Sequence, residues 1–73
     1  MFNLYVTAKT DYMESVLSDL LAPMEFGILS DDDNEDGTRI AIAEVYTEKD
    51  SYVAQYIEDR SSEIPAVVSY QII

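Results

Sequence analysis

The sequence predicts a small α+β sandwich, a four-stranded antiparallel sheet with two helices on one face. Three observations lead there. Apolar residues alternate with a period of two in four stretches, the pattern of strands. In two other stretches they recur at helical spacing, each entered through an acidic or hydroxyl residue suited to a cap. Finally, Asp36-Gly37 closes an acidic run between two of the strand-like stretches. Such a pair marks a hairpin, because glycine accepts φ > 0 at little steric cost.

The first strand is expected from Phe2 to Ala8, where Phe2, Leu4, Val6 and Ala8 alternate with Asn3, Tyr5 and Thr7. A helix follows over residues 11–22, with Met13, Val16, Leu17, Leu20 and Leu21 as one apolar stripe. Asp11 and Glu14 have the spacing of a capping box, with Asp in place of the usual Ser or Thr. Pro23 ends the helix, since the residue before proline disfavours the α region. Residues 24–30 read as a second strand, with Met24, Phe26 and Ile28 on one face and Gly27 permitting a bulge. The alternative is that this stretch is loop, leaving three strands.

Residues 38–46 form the third strand. Ile40 and Ile42 make one face apolar, and Ala41, Ala43 and Val45 the other, as in a central strand covered on both sides. Thr47, with Asp50 three residues on, opens a second helix over residues 48–61. Its stripe of Val53, Ala54 and Tyr56 or Ile57 is weaker than the first, and Ser61-Ser62 and Pro65 mark its exit. Residues 66–73 close the chain as a fourth strand. With right-handed crossovers this order gives the ferredoxin-like βαββαβ sandwich as one domain, residues 1–73, with the first and third strands central.

At 73 residues the chain is near the lower limit for a fold held by its core alone. Its hydrophobic content of 48%, with six Tyr and two Phe, favours a packed domain over a disordered acidic tail. Against 4 bases stand 15 acids, a net charge of −11, which opposes compaction and makes free nucleic acid and anionic membrane poor partners. A basic protein surface is the natural one. No His or Cys is present, so the commonest acid–base group, metal ligand and thiolate nucleophile are all missing. Without a Ser–His or Cys–His pair or a Gly-rich phosphate loop, a non-catalytic protein without cofactor is expected. The start, Met-Phe-Asn-Leu-Tyr-Val, lacks a basic region and cleavage site, so a cytoplasmic location is expected.

Two surfaces stand out as candidate sites. Between Asp11 and Asp36 every charged residue is acidic. Asp31, Asp32, Asp33, Glu35 and Asp36 are expected to project together from the hairpin and form the centre of a partner-binding patch, with Glu14 and Asp19 of the first helix adding to it. The same loop partly matches a calcium-binding loop. Asp32, Asn34, Asp36 and Gly37 occupy positions one, three, five and six, but position twelve, which needs a bidentate Glu, is Ala43. No metal site is assigned, and a solvated charged turn is the simpler reading.

The second surface is the helix-free face of the sheet. If the larger aliphatics of the central strands face the helices, Tyr5, Ala41, Ala43 and Val45 lie on the other side. The last strand would add Val67 and Ile73, or Tyr70 and Ile72. A face that apolar calls for cover, by a homodimer or a partner. RNA-recognition modules share this fold, but the third strand has no interior aromatic and the charge is of the wrong sign for nucleic acid.

In small size, acidity and want of catalytic residues the chain resembles the nucleic-acid-mimicking inhibitors encoded by phages and mobile elements. The likeness is one of composition over the whole chain. It implies an inhibitor of the anti-defence type that docks on a basic nucleic-acid-handling protein, offering carboxylates where a duplex offers one phosphate charge per about 1.7 Å. The other expectation is a ferredoxin-like homodimer acting as a structural or regulatory subunit, its acidic loop tuned by a cation.

Overall fold

Large and small side chains oppose one another across the two central strands, and that opposition sets the sides of the sheet. The computed structural model describes residues 1–73. In β1 (Phe2–Lys9) the buried residues are Phe2, Leu4, Val6 and Ala8, and in β3 (Thr38–Val45) they are Ala41, Ala43 and Val45. The antiparallel register sets Leu4 against Ala43 and Val6 against Ala41. Two small alanines beside two large aliphatics leave depth for the helices to settle, as close packing requires.

The chain leaves β1 through a 3₁₀ turn (Thr10–Tyr12) into α1 (Met13–Leu20), forms the hairpin β2 (Phe26–Asp33) with β3, and returns through α2 (Ser51–Glu63) to β4 (Val67–Ile72). The sheet order is β2-β3-β1-β4 and every pairing is antiparallel. This is the expected four-stranded α+β architecture with β1 and β3 central, compatible with the ferredoxin-like arrangement. Met13, Val16, Leu17, Leu20 and Leu21 share one core with the buried strand residues and with Ile57, the one buried residue of α2. No helix is long and apolar enough to cross a membrane.

Local details depart from expectation. Neither Asp11 nor Glu14 caps α1. The chain enters through the 3₁₀ turn, and no side chain bonds to the helix start. At α2 the cap is Asp50 rather than Thr47, its carboxylate accepting from the Val53 N–H at 2.8 Å. The helix therefore starts later, at Ser51, and runs on to Glu63. β2 also begins and ends later than the apolar pattern suggests, taking in Asp31, Asp32 and Asp33. Pairing with β3 holds these aspartates extended despite their poor strand propensity.

Candidate partner-binding surface

The acidic run is a strand end and a tight turn rather than a loop. The Asn34 N–H donates to the Thr38 carbonyl at 2.8 Å, leaving Glu35, Asp36 and Gly37 as the connection. Gly37 has φ 85°, the left-handed value that a three-residue hairpin places at its last position. Asp36 holds the turn by accepting from the Thr38 hydroxyl at 2.6 Å and from the Thr38 N–H at 3.1 Å. The Thr10 N–H donates to the Gly37 carbonyl at 3.1 Å, which ties the turn to the end of β1.

The strand period then separates the aspartates. Asp31 lies opposite Ala41 and Asp33 opposite Arg39, on the helix side of the sheet, while Asp32 lies opposite Ile40 on the other side. The five carboxylates thus do not project as one group. Arg39 also changes their electrostatics. Its Nε and Nη2 donate to the two Asp33 oxygens at 2.8 and 3.2 Å, and Nε lies 3.2 Å from Asp31. The hydrogen bonds from Arg39 hold the Asp33 carboxyl below its ordinary pKa, and the same contact raises that of Arg39. The Thr38 hydroxyl, with the Thr38 N–H, does the same to Asp36. Asp32 and Glu35 are exposed and make no ion pair or side-chain hydrogen bond within the chain.

The two helix residues expected to join the patch, Glu14 and Asp19, line one groove on α1 with Ser15 and Ser18. Glu14 lines a shallow groove of about 420 Å³ between α1 and β2, together with Asp31, Arg39 and Ile28. Asp19, further along α1, also lines a groove with Lys9, Tyr12 and Ile64. No group of three or more acidic side chains is placed to hold a metal ion. Arg39 and Thr38 were the residues missed. Counting outward from the turn puts residue 39 opposite residue 33, so the signal was in the spacing.

The helix-free face carries a different set from the expected one. Tyr5 lies there, half-buried and opposite Ile42. Ala41, Ala43 and Val45 do not; all three are fully buried beneath the helices. The face instead presents Ile40, Ile42, Thr7 and Glu44, all half-buried, with Tyr46 lying over Gly27. The expectation went wrong because it placed the bulkier β3 side chains inward, whereas the bulky β1 residues already fill that layer. In β4, Tyr70 and Ile72 pack against the core, and a bulge brings Val67 to the same side opposite Ala8.

No protein-family profile, curated protein or solved structure matches the chain.

Proposed function

We propose that the protein is a non-catalytic acidic binding protein that docks on a basic, nucleic-acid-handling protein and competes there with the nucleic acid. One observation carries the reading. Every carboxylate except that of the half-buried Glu44 is exposed. Of the four bases, Arg39 and Arg60 are held by Asp31, Asp33 and Glu63, leaving only Lys9 and Lys49 outside ion pairs.

Such a body offers a basic cleft negative charge on both sides of the sheet, with Glu14 on the helix side and Asp32 on the other. Like-charge exclusion keeps nucleic acid off the protein itself, while complementary fields speed its approach to a cationic surface. The apolar core supplies the rigidity that holds the carboxylates in place.

The test is capture from lysate on the immobilised protein at low salt, followed by elution over a salt gradient. The reading requires a basic nucleic-acid-binding protein that elutes as ionic strength rises and whose nucleic-acid binding the soluble protein inhibits. A captured partner that ignores salt, or that keeps its nucleic acid in the presence of the protein, would contradict it.

A further inference from the structure

The two edges of the sheet are guarded very differently. The β2 edge carries Asp31, Asp32 and Asp33 and a bulge between Ile28 and Ser30. Charges and bulges are the usual means of keeping an edge from pairing. The β4 edge has neither charge nor proline within the strand, and Ile64 to Ile73 contains no charged side chain at all. In a chain of net charge −11 that is the one long uncharged stretch beside an open edge. Val68 and Ile73 are 60% and 55% exposed along it.

The backbone groups on that edge can be assigned. Asn3 and Ile73 exchange both of their bonds, at 3.1 and 2.9 Å. Bonded and non-bonded pairs alternate along an antiparallel ladder, so Tyr5–Gln71 and Thr7–Ser69 are bonded to each other and Leu4–Ile72 and Val6–Tyr70 are not. The N–H and C=O of Tyr70 and Ile72 therefore point away from β1, into the open edge.

From these observations we infer that the β4 edge pairs antiparallel with the β4 edge of a second copy, through the outward-facing backbone groups of Tyr70 and Ile72. The occupant follows from charge. Two strongly acidic molecules meet most readily where neither presents an acidic side chain, and this edge is such a place. A basic partner strand gains nothing from an uncharged edge and is drawn to the acidic surfaces instead. The product is one eight-stranded sheet with both helix layers on the same side and an acidic β2–β3 hairpin at each end.

This inference does not depend on the proposed function, and salt separates the two. Screening weakens docking on a basic partner but strengthens the pairing of two anionic copies. Sedimentation equilibrium at high salt and rising protein concentration should reach twice the chain mass of 8.3 kDa. Tyr70→Pro removes an N–H that β1 does not use but also a half-buried ring from the core, so its folding is checked by circular dichroism, and the folded protein should stay monomeric. For a check without substitution, the Tyr70 and Ile72 amides should exchange more slowly in concentrated than in dilute wild-type protein. A wild-type protein that remains at 8.3 kDa throughout would overturn the inference. A folded Tyr70→Pro variant that still dimerises would do the same, as would exchange at those amides that does not change with concentration.

Discussion

Arg39 stands directly across the hairpin from Asp33 and holds both oxygens of its carboxylate, through Nε at 2.8 Å and Nη2 at 3.2 Å. The same Nε reaches Asp31 at 3.2 Å. One base therefore divides the acidic run. Asp31 and Asp33 are engaged by Arg39 and Asp36 is engaged by Thr38, while Asp32 and Glu35 make no ion pair or side-chain hydrogen bond.

Neutralising the free pair and neutralising the engaged pair should move stability in opposite directions. Asp32→Asn with Glu35→Gln relieves repulsion and breaks nothing, so the melting temperature should hold or rise. Asp33→Asn with Asp36→Asn removes the Arg39 ion pair and weakens the turn, so it should fall. Thermal melts of both double variants at low salt check this. Equal shifts of the same sign would show that the division has no energetic meaning.

The two sides of β3 should respond differently to charge. Ala43→Glu puts a carboxylate into the core with no partner, at a cost of about 3 kcal/mol or more. A chain of this length is stable by only about 4–11 kcal/mol, so that change should unfold it or nearly so. Ile42→Glu, on the helix-free face, should cost roughly 1 kcal/mol. Circular dichroism against urea separates the two outcomes.

Both glycines can be tested in the same way. Gly37→Ala forces an L residue to φ 85° and should cost about 1–2 kcal/mol. At Gly27 a new Cβ would meet the Tyr46 side chain, its hydroxyl at 2.9 Å, and the half-exposed ring can swing aside. Gly27→Ala should therefore be the milder change in denaturant midpoint.

Acid should act on the turn late. Asp33 and Asp36 have folded pKa values below the ordinary one, so their contribution is complete above about pH 4 and is lost as pH falls through the lowered values. The Thr38 amide, bonded to Asp36, should titrate by NMR with a midpoint below that of an unengaged aspartate. A midpoint at the ordinary value would mean that the hydrogen bonds do not persist in solution.

The order of elements was legible in the sequence because two periods, 2 and 3.6, are written plainly in residues such as Phe2–Ala8 and Met13–Leu21. Which side of a central strand faces the helices was not. When both sides of β3 are apolar, the choice depends on the volumes opposite, and those are known only once the register sets Leu4 against Ala43. The acidic run misled for a related reason. Its composition suggests a loop, but backbone pairing with β3 overrode propensity and turned a cluster into residues on alternate faces.

The most direct test of the central claim is displacement of a labelled duplex from the captured basic partner by the wild-type protein, titrated at several salt concentrations. Mutually exclusive binding is expected, with an affinity that falls as salt rises and weaker displacement by the Asp32→Asn, Glu35→Gln variant. A ternary complex of partner, duplex and protein, or an affinity unmoved by salt, would contradict it.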